Sequence, residues 1–442
     1  MSDTYAVMER LTLDDLREAW PVLGSEDRLA GFLSLDRSEA EEFFLELSPR
    51  AQAMIVLEAP RGERRLWMRL LAPDDAADMV QEVEPEQRRE VLDLLDAQTR
   101  AEVVGLLAYA EDDAGGLMSP RFARLRPDMT IDEAIVYLRR QAQERLETIY
   151  YIYVLGADQK LLGVISFREL FATAGSRLVR EVMHEDLVTV RDDMDQEAVA
   201  QIIAQHDLLA VPVVDAQGRV KGIVTVDDIV DVVQEEATED IQKLGGTAAL
   251  DFPYMQTRPL AMIGKRVGWL SALFIGAMLT TAAMAHFEGV LSQAIVLSIF
   301  LPLIISSGGN SGSQASTLVI RAMSLGELRL RDWWRVVRRE LISGLGLGVI
   351  LAAIGFASVL ARPSLWQGYG DQTVLIGLTV ALSLVGVVLY GTLAGSMLPF
   401  LIRRLGLDPA SASAPFVATL VDVAGIVFYL TVARTVLAGT LL

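Results

Sequence analysis

The chain has 442 residues, enough for two or three domains of about 100–200 residues each, and 52% of it is hydrophobic with a mean hydropathy of +0.36. It contains no cysteine, which excludes disulfides, iron–sulfur clusters and thiolate zinc centres, and its three histidines, His184, His206 and His286, are too scattered for an HExxH-type enzyme. Charge divides along the chain: residues 1–259 carry 27 Lys+Arg against 51 Asp+Glu, a net of −24, whereas residues 260–442 carry 12 against 7, a net of +5. An acidic, water-soluble part is fused to an apolar one, and the field of the acidic part repels nucleic acid and attracts cations. The opening Met1-Ser-Asp-Thr-Tyr has neither a basic region nor an apolar core, so no cleaved signal peptide is expected.

Residues 9–110 read as short helices, punctuated at Ser48-Pro49, Pro73-Asp-Asp75 and Glu84-Pro85. Ser followed by Pro suits an N-cap and a first helical turn. Stretches such as Val80 to Leu95 alternate apolar and charged faces at helical spacing, which predicts a curled stack of helix pairs. Residues 118–238 then contain an internal repeat. Met118 and Met129 recur 65 residues on as Met183 and Met194, while Ile152-Tyr-Val, Gly163-Val-Ile-Ser166 and Arg168-Glu-Leu170 recur 59 residues on as Val211-Pro-Val, Gly222-Ile-Val-Thr225 and Asp227-Asp-Ile229. Each copy predicts strand, helix, two strands and helix. This resembles a tandem CBS pair, and the resemblance implies adenine-nucleotide binding through Gly-x-x-Ser/Thr-x-x-Asp. The candidates are Thr225 and Asp228 in the second copy, and Tyr151, Ser166 and Glu169 in the first, where Glu replaces Asp.

A run of acids follows. Asp228, Asp231, Glu235 and Glu239, offset by 3, 7 and 11, share one helical face, and such like-charge neighbours each cost a helix roughly 0.2–0.5 kcal/mol. The stripe calls for counter-ions, and divalent ions suit it. Beyond it, residues 267–287, 289–320, 341–361 and 372–402 contain no Asp, Glu, Lys or Arg, and 409–433 contain only Asp422. Each run reaches the roughly 20 residues needed to cross a bilayer. The second has room for a loop or break.

Ten cations (Lys265, Arg266, Arg321, Arg329, Arg331, Arg335, Arg338, Arg339, Arg403 and Arg404) fall on one side of these five spans, and Arg362 and Arg434 on the other. The positive-inside rule places the ten, and with them the N-terminal half, in the cytoplasm, and the C-terminus outside. Asp422 near the centre of the last span predicts a cation site, because a carboxylate at that depth is costly without water, a partner or a substrate path. In the second span, Ser306-Ser-Gly-Gly-Asn310-Ser-Gly-Ser-Gln314 should break or loosen the helix around Gly308, Gly309 and Asn310, offering oxygen donors to a path; close packing through small residues is the other reading. Gly344-Leu-Gly346-Leu-Gly348 imitates a dinucleotide loop, but no strand precedes it, so it reads as helix packing.

The order of segments, with Glu111-Asp-Asp-Ala-Gly-Gly-Leu-Met118, Glu147-Thr-Ile-Tyr-Tyr-Ile-Tyr153, Ala237-Thr-Glu-Asp-Ile241, Gly308-Gly-Asn-Ser-Gly312 and Ala418-Thr-Leu-Val-Asp422, resembles the MgtE family of magnesium channels and transporters. The fold expected is a polytopic α-helical membrane protein with a cytosolic all-α superhelical domain and an α/β tandem CBS domain. Its parts are an acidic helical domain over 1–117, the CBS pair over 118–238, a connecting (plug) helix over 239–262 and a five-helix pore domain over 263–442.

The resemblance implies a homodimer in the cell membrane with the ion path on its two-fold axis, lined by Asp422 and the Ala418 carbonyl. It also implies regulatory Mg²⁺ at Glu42, Asp74 and Asp78, at Asp195, Glu197, Asp207, Asp228 and Asp231, and at Glu236, Glu239, Asp240 and Asp408. Where relatives often carry Asn-Pro early in the last span, this chain has Ala414-Pro415, which removes a polar pore ligand. A channel or transporter closed by cytosolic Mg²⁺ is the function expected. A carrier of Co²⁺ or Ca²⁺ and a non-transporting Mg²⁺ sensor are the alternatives, and no nucleophile–base pair or Walker loop suggests an enzyme.

Overall fold

The computed structural model describes residues 12–142, 146–250, 254–255, 257–361 and 372–441, so Arg362 and the opening Met1-Ser-Asp-Thr-Tyr lie outside the described residues. Prolines at first helical positions set the rhythm of the N-terminal region: α1 (Leu13–Ala19), α2 (Ser25–Ser34), α3 (Arg37–Glu46), α4 (Pro49–Glu58), α5 (Arg61–Met68), α6 (Pro73–Gln81), α7 (Pro85–Leu92), α8 (Ala97–Leu106) and α9 (Ala114–Leu117). The fixed φ of proline is preorganised for a first turn and the lost N–H would have been unpaired there. Ser48 precedes α4 as expected, but its hydroxyl makes no capping bond; Thr12 and Asp96 do cap, onto Asp15 and onto Gln98 and Thr99. Val80 to Leu95 is not one helix but the end of α6 and the whole of α7, with Val80, Val91 and Leu95 buried. Packing runs both between alternate helices, α6 lying on α4 and α8, and between neighbours, α4 on α5 and α6 on α7. An aromatic cluster of Trp20, Phe32, Phe43, Phe44 and Trp67 fills the first half of this stack.

The repeat forms two like sheets. In the first, β1 (Arg124–Leu125) pairs parallel to β2 (Tyr151–Leu155), which pairs antiparallel to β3 (Leu161–Ser166), with α10 (Ile131–Gln141) and α11 (Phe167–Ala172) alongside. In the second, β4 (Val190–Arg191), β5 (Ala210–Val214) and β6 (Val220–Thr225) repeat the order, with α12 (Gln196–His206) and α13 (Val226–Leu244). Tyr151 faces Ser166 as Ala210 faces Thr225, which preserves the 59-residue offset. The drop from an offset of 65 to one of 59 has a simple cause: nine residues join α10 to β2, but only three join α12 to β5. Phe122, Tyr153, Leu155, Ala210, Val214 and Ile223 form the apolar seam where the copies meet.

Two compact units result, Met1–Gln234 and Glu235–Leu442, with the boundary inside α13. In the second, α14 (Pro259–His286), α15 (Glu288–Gln293), α16 (Val296–Ser324), α17 (Trp333–Leu360), α18 (Thr373–Arg404) and α19 (Ala414–Val436) include five helices long and apolar enough to span a membrane, α14 and α16 through α19. Two expectations are corrected. The glycine-rich stretch does not break its helix: α16 runs through Pro302 and Ser306 to Gln314, and the break falls earlier, at Ala294-Ile295, after the short α15. The reason is packing. A methyl at Gly391 would overlap the Gly308 carbonyl, and one at Gly395 the Gly312 carbonyl, so α16 and α18 meet backbone to backbone and the glycines serve that approach. Gly344 and Gly348 likewise press on Thr392 and Val385 of α18. Among the described residues of the connecting segment, expected helical over 239–262, one helix ends at Leu244, Gly246 takes φ +74°, and the next helix starts at Pro259.

Candidate functional site

Asp422 lies midway along α19, half-buried, on the side that meets α16. A Cβ built on Gly309 would stand 4.0 Å from Asp422 Oδ1 and 3.6 Å from Ala418 Cβ, so the missing side chain of Gly309 leaves room beside the carboxylate. Gly309, Ala418 and Asp422 are therefore brought together. Gly308 is not one of them, since it turns the other way, against Val387 and Val421. Asn310 is exposed and its Nδ2 reaches Ser306 Oγ at 3.4 Å. Ser306, Asn310, Ser313 and Thr317, at spacings of 4, 3 and 4, share one face of α16. This polar stripe is about 16 Å long at 1.5 Å per residue. Sequence reasoning stopped at Gln314 and missed Thr317, although a longer count at helical spacing would have found it.

In the N-terminal unit a second feature gathers around Ser119, which is fully buried. Its hydroxyl lies 3.4 Å from Asp74 Oδ1 and 3.1 Å from Glu147 Oε2. Burial, and then the charges of Glu147, Asp75 and Asp228, push the Asp74 carboxyl well above the usual carboxylate range. Burial with the charges of Asp227 and Glu147 raises Asp228 to about 7, against the pull of Thr225, whose hydroxyl donates to Asp228 at 2.6 Å. Arg121 acts on Glu147, but it is engaged with Glu102 at 2.7 Å and with Thr99. Crowded carboxyls with little cationic compensation suit a hard cation and oppose a polyphosphate. Ser119 and Glu147 were not among the candidate ligands, though both lie beside or within motifs the sequence had singled out.

The third feature belongs to the membrane unit. Lys243, near the end of α13, bridges Glu239 and Asp408, the latter at 2.6 Å, while Asp240 Oδ2 accepts from Ser324 Oγ at 2.9 Å. Glu239, Asp240 and Asp408 are thus neighbours. Glu42 pairs with Arg17, which also holds Glu46 and Asp14. Asp195 is the N-cap of α12, accepting from the Glu197 N–H at 2.9 Å, and Asp207 is its left-handed C-cap at φ +51°. Asp78 lies one turn on from Asp74, and Asp231 and Glu236 lie farther along α13. Among the described residues no three His, Cys, Asp or Glu side chains converge closely enough to hold an ion directly. Oxygen donors at this looser spacing fit Mg²⁺, which keeps several waters.

The nucleotide motifs are helix caps in both copies. Glu169 accepts from Ser166 Oγ at 2.7 Å and meets His184 Nε2 at 2.8 Å, and these bonds, the Ser166 hydroxyl first, hold its carboxyl down at about 2. Tyr151 stands opposite Ser166 across the sheet. Thr225 and Asp228 are the equivalent pair, but they sit in the acidic cluster.

Family models match the chain as "Divalent cation transporter" over residues 301–432, "MgtE intracellular N domain" over 11–112 and "CBS domain" over 114–174 and 179–235. It is 42% identical over 434 residues to the magnesium transporter MgtE of Thermus thermophilus, spanning 98% of this chain and 94% of that protein. To the magnesium transporter MgtE of Enterococcus faecalis it is 32% identical, over 76% of this chain and 72% of that one. A solved structure of the cytosolic domain of the Mg²⁺ channel MgtE in complex with ATP matches 52% of this chain and 95% of its own, at 42% identity and a TM-score of 0.47. Membrane-spanning helices, an N-terminal helical stack, paired CBS motifs and full-length similarity agree: the chain belongs to the MgtE family of magnesium transporters, which are ion transporters and not enzymes.

Proposed function

We propose that this chain moves Mg²⁺ across the cell membrane along a path lined by Asp422, the Ala418 carbonyl and the polar stripe of α16, and that cytosolic Mg²⁺ closes it. The observation that carries this reading is the carboxylate of Asp422 facing Gly309, whose lack of a side chain leaves methyl-sized room between the two helices. A hydrated divalent ion is held there by outer-sphere hydrogen bonds, because Mg²⁺ gives up water reluctantly. A homodimer is part of the proposal: Ser306, Asn310 and Thr317 are exposed on one chain, and polar groups at membrane depth are tolerated only against protein or a water-filled path. The ten cations flanking the spans put the N-terminus in the cytosol and the C-terminus outside.

For gating, Mg²⁺ neutralises the Asp74–Glu147–Asp228 cluster and the Glu239–Asp240–Asp408 group, with Glu42, Asp78, Asp195, Glu197, Asp207, Asp231 and Glu236 as further acidic positions. When Mg²⁺ falls, the uncompensated charges repel and the path opens. Shifting a gate from 1:99 to 99:1 takes about 5.5 kcal/mol of differential binding, which several modest sites supply and one exposed pair does not. An adenine nucleotide belongs to the first CBS copy, at Tyr151, Ser166 and Glu169, and not to the acidic second copy. Liposome flux over a range of internal Mg²⁺ tests the whole. Asp422→Ala lowers Mg²⁺ flux by about tenfold or more, equivalent to about 1.4 kcal/mol on the barrier. An undiminished flux refutes the path, and preference for Co²⁺ or Ca²⁺ in competition reassigns the cargo.

A further inference from the structure

Both oxygens of Asp408 are spoken for. Oδ1 accepts from the Ala410 N–H at 2.8 Å, capping the turn before α19, and Oδ2 accepts from Lys243 Nζ at 2.6 Å. The same ammonium bonds Glu239, one turn earlier on α13. A cation approaching Asp408 on its Oδ2 side therefore meets the Lys243 ammonium at contact distance. Lys243 is partly shielded, with 28% of its side chain exposed, and its two carboxylate bonds outweigh the effect of burial, so it stays charged. Asp240, the next residue after Glu239, adds a third carboxylate on which the Lys243 charge acts. Beside them opens a cavity of about 430 Å³, lined by Lys243 itself with Gly246, Lys265, Trp269 and Ser411, which gives a displaced side chain somewhere to go.

We propose that Lys243 is a tethered counter-ion: its ammonium holds the place between Glu239 and Asp408 that a regulatory divalent ion would take, and Mg²⁺ must displace it to bind. Lys243 thus sets the Mg²⁺ concentration at which the connecting segment is locked. The proposal rests on the reading of Glu239, Asp240 and Asp408 as regulatory ligands.

The test uses the full chain in detergent and measures Mg²⁺-dependent protection from chymotrypsin, with liposome flux as a second readout. Lys243→Met lowers the Mg²⁺ midpoint by about two- to fivefold, the scale of one partly exposed charge contact. Lys243→Arg, which keeps the charge and the stem, leaves the midpoint near wild type. Asp408→Asn raises it. An unchanged or raised midpoint in Lys243→Met, with Asp408→Asn still raising it, overturns the counter-ion while leaving the regulatory site standing. If neither Asp408→Asn nor Glu239→Gln moves the midpoint, the site reading fails and this inference fails with it.

Discussion

A methyl group at Gly395 would overlap the Gly312 carbonyl, whereas one at Gly309 would meet nothing closer than 3.6 Å. The two glycines are therefore separable by substitution. Gly395→Ala forces α16 and α18 apart and costs about 1–3 kcal/mol, the usual price of overpacking, read as a lower aggregation temperature in detergent. Gly309→Ala keeps the fold but puts an apolar methyl in the room beside Asp422, so its thermal stability holds while Mg²⁺ flux falls. Glu169 offers a pH test. Its folded pKa of about 2 lies below the value of about 4.3 expected in an unfolded chain. A depressed carboxyl contributes stability above the unfolded value and loses it as pH falls toward the folded one. Glu169→Gln thus costs about 0.5–1 kcal/mol near neutrality, discounted for exposure, and the gap from wild type narrows as pH drops from 5 to 3 in chemical denaturation.

At the scale of elements, the spans were legible because charged residues are excluded from lipid, and the repeat because two β-branched strand pairs recur at fixed offsets. The pairing of Tyr151 with Ser166 and of Ala210 with Thr225 follows from that recurrence. What was not legible depends on distant partners. Nothing near Gly308–Gln314 in sequence tells that Gly391 and Gly395 wait on α18, so a polar, glycine-rich stretch reads as a weak helix until its neighbour is known. Ser119 is joined to Asp74 and Glu147 from 45 and 28 residues away, and Lys243 to Asp408 from 165. Asp422 was legible from its isolation alone. The acidic cluster carries its own prediction: Asp74→Asn removes a buried like charge, so the metal-free protein melts later, by about 1 kcal/mol or more, and gains less from added Mg²⁺. A thermal melt with and without Mg²⁺ reads both changes.

For the whole molecule, charge is uneven, −24 before Pro259 and +5 from residue 260 on, and the proposed function assigns sensing to the first part and passage to the second. Deleting residues 1–234 leaves the spans intact and yields a path that internal Mg²⁺ closes less completely; flux that still shuts off fully would place the sensor elsewhere. One trait of the first span bears on how the chain is made. No residue of α14 is buried within the chain, and its principal partner is α19, the final helix. A ribosome delivers α14 some 150 residues before that partner exists. It must rest in the bilayer without that partner until α19 has been made, held there by its own oiliness. Changes that weaken its solubility in lipid are therefore paid during biogenesis, as lost yield, before any ion has crossed.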